Sequence, residues 1–377
     1  MLSPDQDPAA RYAAGRDPCG REAAARARPG EGLTIGLLNN MPDAALAATE
    51  RQFARLVVAG GAGLPVTMRL FHLPEIERGP AGRDHLRGRS APAAAMARAG
   101  LDALIVTGCE PRAACLRDEP YWPSLTEAID WARTATRSVL FSCLAAHAAV
   151  LHLDGLPRRR LPAKRSGVFA CRAVAAHPLL AGLGPDLAVP HSRYNDLPAE
   201  ALPGLGYEVL TRSEEAGADL FVKPGPSLLV FLQGHPEYDR DSLAREYRRD
   251  LGRFRDGARP DRPDLPAHYF DPDVAASLAA CARRPGPGAG LPDCPAPAYA
   301  AWQDDAARLF GNWLGIVAAS RAAEAPRATD APRAAEAPRT AGATRAEEAP
   351  WAAEAPWAAG GPGLARAPRP LDHAAAP

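Results

Sequence analysis

The feature that most constrains this chain is a repeated alternation of short apolar runs with helical patterns. The segments "LTIGLLNN", "LDALIVTG" and "SVLFSC" are apolar runs that lead into turns, and amphipathic segments such as "PSLTEAIDWARTA" lie between such runs. Apolar runs of this length that alternate with helices are typical of strands buried on both faces of a parallel sheet. The sequence therefore predicts an α/β fold with a doubly wound, mostly parallel sheet and flanking helices.

The predicted domain occupies residues 32–320, between two segments of biased composition. Residues 1–31 are rich in Ala, Arg, Pro and Gly and have no periodic apolar pattern. Residues 321–377 repeat Ala-Pro units such as "EAPW" and contain no Ile, Val or Phe. Segments of this kind cannot bury enough apolar surface to offset the entropy of the chain. Both are therefore predicted to be disordered.

Charge and cysteine content argue against several classes of protein. Lys plus Arg and Asp plus Glu both number 44, so no net charge favours binding to nucleic acid or to an anionic membrane. The seven cysteines are an odd number, and none lies in a C-x-x-C pair or at zinc-ligand spacing. The N-terminus has no apolar signal segment, and no apolar stretch reaches membrane-spanning length. We therefore expect a cytoplasmic protein with no metal site.

Three residues are candidates for a catalytic group at the carboxyl ends of the predicted strands. Cys143 ends a strand and opens a helix, whose free amides and dipole can stabilise a thiolate and an oxyanion. His235 and Glu237 follow the strand "SLLVFLQ" and, two residues apart in extended chain, project to the same side. A carboxylate beside an imidazole orients it as a base for a nucleophile. Taken singly, Cys143 is better interpreted as a core residue, and His235 as a strand cap beside a solvated Glu237.

The order of these and other motifs resembles a known family. A strand–cysteine–helix turn followed by "GHPE" is similar to the class I glutamine amidotransferase fold. The motifs of residues 33–318 look like those of the homoserine O-succinyltransferase family, in the same order: "LIVTG", "EPYWP", "KRSGVF", "VPHSRYND", "GHPEYD", "EYRRD" and "GNWL". The resemblance implies that Cys143 forms an acyl-enzyme, that His235 is the proton acceptor and that Glu237 completes the triad.

The same resemblance implies three substrate-contacting residues, Lys164, Ser192 and Arg249. Without it, Lys164 would be interpreted as part of a solvated basic segment, Ser192 as a turn hydroxyl and Arg249 as a cation that stabilises the end of a helix. As a substrate ligand, Arg249 has a planar guanidinium that suits bidentate binding of an α-carboxylate.

The acyl donor depends on one position in this family. The fourth residue after the Thr-Gly pair is glycine in succinyltransferases and glutamate in acetyltransferases, and here it is Arg112. Two hypotheses follow: Arg112 pairs with the free carboxylate of a succinyl group, or it faces solvent. A second departure is that Phe141 and Ala145 stand where amidotransferases have glycines. This departure argues against a glutaminase.

The predicted activity is transfer of a succinyl group from succinyl-CoA to L-homoserine through an acyl-cysteine, a step toward methionine. Acyl-CoA is a co-substrate, no bound cofactor is expected, and the resemblance suggests a homodimer. Four alternatives stay open. They are O-acetyl transfer, transfer to serine or a related amino alcohol, a glutaminase subunit, and a non-enzymatic binding protein whose "EAPW" segment is the functional part.

Overall fold

A computed structural model describes residues 32–61, 63–282, 293–297 and 300–324. The chain divides into a unit of residues 1–325 and a unit of residues 326–377, and the second unit lies outside the described residues. Residues 1–31 also lie outside them. Of the predicted C-terminal tail, the structure describes only residues 321–324, which continue the last helix beyond the predicted domain end at residue 320.

The described residues form twelve strands in two sheets. In chain order the strands are β1 (Leu33–Leu38), β2 (Val66–His72), β3 (Ser90–Pro92), β4 (Ala103–Val106), β5 (Ser138–Ser142), β6 (Arg159–Ala173), β7 (Asp186–Asp196), β8 (Glu208–Val209), β9 (Thr211–Ser213), β10 (Gly217–Ala218), β11 (Leu220–Lys223) and β12 (Leu228–Leu232).

The large sheet has the order β3-β2-β1-β4-β5-β12-β11-β8. The strands from β3 to β12 in this order pair in parallel, and β11 and β8 are antiparallel additions at one edge. This arrangement confirms the predicted α/β fold with a doubly wound, mostly parallel sheet. The strand order reverses between β1 and β4, and open sheets of this type bind ligands in the crevice at such a reversal.

Seven helices lie within the described residues. They are α1 (Leu46–Gly60), α2 (Pro80–Leu86), α3 (Trp122–Ala135), α4 (Leu144–Asp154), α5 (Ser242–Arg255), α6 (Pro272–Ala282) and α7 (Trp302–Glu324). The sequence analysis did not identify α2 and α6. No helix in the described ranges is both long and apolar enough to cross a membrane.

Helices cover both faces of the large sheet because its strands are apolar on both sides. On one face, the aromatic rings of Phe141 and Phe231 stack with centroids 5.1 Å apart, and α3 and α4 pack over them. On the other face, Phe53 of α1 and Trp313 of α7 pack against β1, β4, β5 and β12. The two layers hold the strand ends, and therefore the turns that follow them, in fixed positions.

The second sheet is antiparallel, with the order β10-β9-β6-β7. Its long pair β6–β7 places Ser166 opposite Ser192, and the register shifts between Arg160 and Arg165. The sequence analysis did not predict this sheet. The segment before Ser166 contains a basic run and a proline that hide its strand pattern, and the strand forms because β7 supplies a partner from a distant part of the chain.

Candidate active site

Cys143 occupies a strained turn between β5 and α4. Its backbone has φ 51° and ψ −109°, a conformation that costs a non-glycine residue on the order of 1–3 kcal/mol. The Cys143 N–H donates to the carbonyl of Leu232 at 2.7 Å, which ties the turn to the end of β12. The turn leaves the thiol half-buried at the start of a helix.

Gly108 allows the turn after β4 to approach the start of α4. A Cβ atom at this position would lie 2.5 Å from Cβ of Leu144 and 3.1 Å from its backbone nitrogen. The Leu144 N–H is at the first position of α4, where amides have no partner within the helix. Such an amide beside the thiol can donate to the oxyanion that forms when the sulfur attacks a carbonyl carbon.

His235 and Glu237 are both buried and are hydrogen-bonded to each other. Nδ1 of His235 lies 2.8 Å from Oε1 of Glu237. The His235 N–H donates to the carbonyl of Pro190 in β7 at 2.7 Å, so the second sheet fixes the backbone of the histidine. The Cys143 thiol is a hydrogen-bond partner of the same imidazole. Because Glu237 holds Nδ1, the proton shared with sulfur belongs to Nε2.

The charges around His235 favour its protonated form. Burial by itself lowers the pKa of His235, but the Glu237 carboxylate and Cys143 raise this pKa well above its ordinary value. The arrangement therefore stabilises an imidazolium between the Cys143 sulfur and the Glu237 carboxylate. This is the electrostatic pattern of a cysteine nucleophile with a histidine base.

Tyr238 connects this triad to a second group of charged residues. Its ring stacks on the His235 imidazole with centroids 4.3 Å apart. Its hydroxyl donates to Oε1 of Glu246 in α5 at 2.6 Å. Burial, followed by the charge of Glu246, raises the pKa of Tyr238 well above its ordinary value, so the phenol stays a donor.

The predicted substrate residues meet around two carboxylates of α5. Nζ of Lys164 lies 3.0 Å from Glu246 and 2.9 Å from Asp250. Ser192 donates to the same Glu246 oxygen, and the Arg249 guanidinium lies 2.9 Å from Asp250. Lys164 is mostly buried, which rules out the solvated basic face, whereas half of the Arg249 side chain is exposed.

Each ionisable group in this cluster is held in its charged form. Burial opposes the charge of Lys164, but Glu246 and Asp250 raise its pKa above the ordinary value. Burial likewise opposes ionisation of Glu246 and Asp250, yet Lys164 lowers the pKa of both. The cluster is thus a set of alternating charges, a pattern that suits a zwitterionic ligand.

Arg112 lies apart from both groups. Its side chain is 70% exposed and pairs with Glu77 at 2.7 Å. The backbone amides of Arg112 and Ala113 donate to the buried carboxylate of Glu119. Arg112 lines a cavity of about 620 Å³ that also includes Asn40 at the end of β1 and Cys109 after β4.

Gly234 lies between the triad and a buried cluster of potential ligands. Asp219 accepts its N–H at 2.9 Å, and a Cβ atom at Gly234 would come within 2.7 Å of that carboxylate. Cys171, His191 and Asp219 are buried with their ligand atoms within 4.8 Å of one another, a grouping that the sequence spacing did not reveal. Burial raises the pKa of Cys171, which opposes the thiolate that a metal requires.

The structure brings Cys143, His235 and Glu237 together, and it gathers Lys164, Ser192 and Arg249 in a neighbouring cluster. Sequence reasoning did not single out Tyr238 and Glu246, which connect the two groups. Both stand inside the motifs "GHPEYD" and "EYRRD". A helical spacing of four residues between Glu246 and Asp250 was the available signal, because it places both carboxylates on one face of α5.

Comparisons with known proteins identify sequences and structures that are similar to this chain. A family model described as homoserine O-succinyltransferase matches residues 19–323. The chain is 54% identical over 293 residues to a homoserine O-succinyltransferase of Methylorubrum extorquens, covering 76% of this chain and 87% of that protein. It is 51% identical over 302 residues to one of Rhodopseudomonas palustris, covering 78% and 89%.

Among solved structures, a glutamine amidotransferase of Methylobacillus flagellatus is similar at 17% identity with a TM-score of 0.45, covering 76% of this chain and 95% of that one. The family match spans most of the described residues, including the Cys143 turn, "GHPEYD" and the Lys164 cluster. The chain belongs to the homoserine O-succinyltransferase family.

Proposed function

We propose that this protein transfers a succinyl group from succinyl-CoA to the hydroxyl of L-homoserine through an acyl-cysteine intermediate. The observation that carries the proposal is the Cys143 thiol on a strained strand-to-helix turn, beside an imidazole that Glu237 holds at 2.8 Å. The relatives in Methylorubrum extorquens and Rhodopseudomonas palustris are named homoserine O-succinyltransferases, which supports a succinyl donor and homoserine as the acceptor.

In the first half-reaction, the Cys143 thiolate attacks the thioester carbonyl of the donor. The developing oxyanion is stabilised by the Leu144 amide at the start of α4. The bond between the carbonyl carbon and the CoA sulfur then breaks, and the His235 imidazolium gives its proton to the leaving thiol. The enzyme retains a thioester on Cys143.

In the second half-reaction, His235 becomes the base. Cys143 is one of the groups that raise the pKa of His235, and acylation removes the charge from sulfur. The imidazole is then free to take the proton of the acceptor hydroxyl, whose oxygen attacks the acyl-cysteine. Collapse of that intermediate breaks the carbon–sulfur bond, forms the ester and regenerates Cys143.

The alternating charges around α5 bind the acceptor. An amino acid carries an ammonium and a carboxylate, and Glu246 offers the former a buried anion while Arg249 offers the latter a half-exposed guanidinium. Lys164 and Ser192 already contact Glu246 and hold it in place. Tyr238 bridges this cluster to His235, so an acceptor bound here has its hydroxyl directed toward the base.

Several further properties belong to this proposal. The chemistry needs no metal or bound cofactor, because Cys143 and His235 supply the nucleophile and the proton transfers, with acyl-CoA as co-substrate. Arg112 tunes the choice of acyl group from the cavity wall. The protein acts in the cytoplasm as a homodimer on small-molecule substrates, in methionine biosynthesis.

The test is intact-mass spectrometry of the protein with succinyl-CoA, beside a Cys143→Ala variant, before and after addition of homoserine. The expected result is a succinyl adduct that requires Cys143 and disappears with homoserine. An adduct that persists with homoserine but clears with serine would change the acceptor. An adduct with acetyl-CoA alone would change the donor, and ammonia release from glutamine without any adduct would favour a glutaminase.

A further inference from the structure

The cavity of about 620 Å³ is lined in part by the turn after β4, which packs against the start of α4, where the proposed nucleophile stands. Gly108 packs against Leu144, the residue that follows Cys143. Cys109, the residue that follows Gly108, lines the cavity. Asn40 lines it from the end of β1, so the cavity lies at the reversal of strand order where open sheets bind ligands. Cys143 is not itself in the cavity wall, but the turn that carries it adjoins the Gly108–Cys109 segment that is.

Arg78 stands in the wall of this cavity with one edge of its guanidinium occupied. Its side chain is 6% exposed, and Nη1 donates to the carbonyl of Met41 and lies 3.3 Å from Asp43. Asp43 is itself fixed by the N–H of Gly79 at 2.8 Å. The guanidinium is therefore held in one orientation before any ligand arrives.

The opposite edge of Arg78 has no partner. Nε and Nη2 are both buried and make no hydrogen bond within the described ranges. These two N–H groups point the same way in a planar fork, the geometry that binds both oxygens of a carboxylate. Buried donors without partners cost stability, and an anion bound at this edge would satisfy both of them.

Asp43 meets the Nη1 side of Arg78, and the other carboxylates around the cavity are engaged elsewhere, so none of them pairs with the Nε–Nη2 edge. The remaining acidic side chains of the wall have partners as follows: Glu75 accepts from Ser124 at 2.6 Å, Glu77 pairs with Arg112 at 2.7 Å, Glu110 lies 3.8 Å from Arg253, and Glu119 accepts from the amides of Arg112 and Ala113. The Nε–Nη2 edge of Arg78 is thus left unpaired within the described residues, in a side chain that lines the cavity.

A second arginine, Arg158, also carries a buried donor without a partner in the part of the chain that the structure describes. Nη1 of Arg158 is buried and has no hydrogen-bond partner within the described ranges. Burial lowers the pKa of Arg158, while Tyr121 and Glu119 of the cavity wall and Cys143 of the triad oppose this change. Arg158 is therefore within electrostatic reach of both the cavity and the sulfur.

We propose that the free Nε–Nη2 edge of Arg78 binds the terminal carboxylate of the succinyl group. The inference rests on the proposed acyl transfer from Cys143 and assigns the contact that distinguishes a charged acyl group from a neutral one. Arg112 lies in the outer wall, exposed and paired with Glu77, where a single charge contributes little.

The experiment compares acyl-enzyme formation from succinyl-CoA with that from butyryl-CoA, which has the same chain length without the carboxylate. Rates are measured by quench and intact mass for the unmodified protein, Arg78→Gln, Arg78→Lys and a control, Arg87→Gln. Arg87 lies on the neighbouring loop, and its side chain is 77% exposed. Loss of a charge-assisted bidentate contact lowers the succinyl rate about 10- to 100-fold in Arg78→Gln. The butyryl rate and both rates of the control stay unchanged.

Arg78→Lys keeps the charge and removes the fork, so the ratio of succinyl to butyryl rates falls to a value between those of Arg78→Gln and the unmodified protein. If Arg78→Gln does not fold, the ratio measured for Arg78→Lys alone tests whether Arg78 binds the succinyl carboxylate. An unchanged ratio in Arg78→Lys and Arg78→Gln would overturn the assignment.

A second arm repeats the series with N-acetylcysteamine thioesters, which lack the phosphates of CoA. A succinyl-specific loss must appear with both carriers. Equal losses for every CoA ester, with none for the short carrier, would mean that Arg78 binds a phosphate and would overturn the carboxylate assignment. If the unmodified protein forms no acyl-enzyme with any donor, the proposed function fails. Calorimetric binding of succinyl-CoA to Cys143→Ala, with and without Arg78→Gln, then tests Arg78 separately.

Discussion

The triad and the charged cluster on α5 differ in how the fold assembles them. Cys143 and the His235–Glu237 pair stand at the ends of two adjacent parallel strands, β5 and β12, whose register places Ser142 opposite Leu232. Lys164 and Ser192 come from the antiparallel pair β6–β7 and reach α5 only through the packing of separate elements. Tyr238 connects the two groups.

This difference separates the two halves of the proposed reaction. The parallel sheet fixes the nucleophile and its base, which act in both half-reactions. The cluster on α5 carries alternating charges, and in the proposed reaction it binds the amino acid acceptor. Variants in the first region should therefore impair both steps, and variants in the second should impair only acyl transfer to the acceptor.

The largest expected effect is loss of the nucleophile. Cys143→Ala should lower kcat by about 10⁴-fold or more, because no group remains to carry the acyl chain. Steady-state CoA release in the presence of homoserine measures it. Cys115→Ala is the matched control, since this exposed cysteine lies outside the site. If Cys143→Ala still transferred the acyl group from CoA at near the normal rate, a covalent mechanism through Cys143 would be excluded.

Glu237→Gln should lower kcat by about 10³-fold, because the carboxylate orients the imidazole and stabilises its charge. Glu237 raises the pKa of His235, so its removal lowers that pKa. The imidazolium that protonates the leaving CoA thiol is then lost at lower pH. The alkaline limb of acyl-enzyme formation should shift toward acid in a pH series of stopped reactions. An unshifted limb would show that Glu237 does not set the titration of His235.

Glu246→Gln tests whether the two regions are separable. The expected result is an increase of about 10²-fold in KM for the acceptor, because a buried charge-assisted contact to the ammonium is lost. The rate of acyl-enzyme formation from succinyl-CoA should stay near normal. Glu214→Gln, at an exposed position, is the control. A parallel loss in both half-reactions would mean that Glu246 acts through Tyr238 on the triad and not on the acceptor.

Arg112→Ala should have a small effect. Its side chain is exposed and paired with an exposed Glu77, and such pairs are weakened by solvent. We expect the preference for succinyl-CoA over acetyl-CoA, as a ratio of kcat/KM, to fall only a few-fold, with no measurable change in Tm. A complete reversal of donor preference would instead place Arg112 directly against the acyl group.

The smallest effect is expected from the C-terminal segment. Deletion of residues 326–377 should leave acyl transfer and Tm unchanged, because the family match ends at residue 323. Deletion from residue 321 should lower Tm by about 2–4 °C, since it removes Arg321, whose guanidinium bonds to the carbonyl of Gly32 and lies 3.2 Å from Asp102. Thermal unfolding of both truncations measures the difference. If the truncation that lacks only residues 326–377 lost activity, this segment would be required for catalysis.

Much of the fold was readable because parallel strands are apolar on both faces. The runs at β1, β4, β5 and β12, and the helices between them, predicted the central sheet from local pattern alone. The antiparallel pair β6–β7 was not predicted, because the basic run around Lys164 has no apolar alternation and its pairing partner lies far along the chain. Helix α6 was missed for a similar reason, since its short alanine-rich segment borders a stretch rich in Pro and Gly.

The sequence by itself pointed to Cys143 as the proposed nucleophile and to His235 as its proposed base. A cysteine at a strand-to-helix turn and a His-Pro-Glu segment after a strand are local patterns, and the backbone at each position directs the side chain. Only the tertiary structure decided that Lys164 and Ser192 surround Glu246 and that Tyr238 links them to His235. It also decided that Arg78 is buried with an edge unpaired among the described residues, while Arg112 of the same cavity wall is exposed and paired with Glu77. These contacts join distant segments, and their energies depend on burial and on charged partners that a local stretch of sequence does not specify.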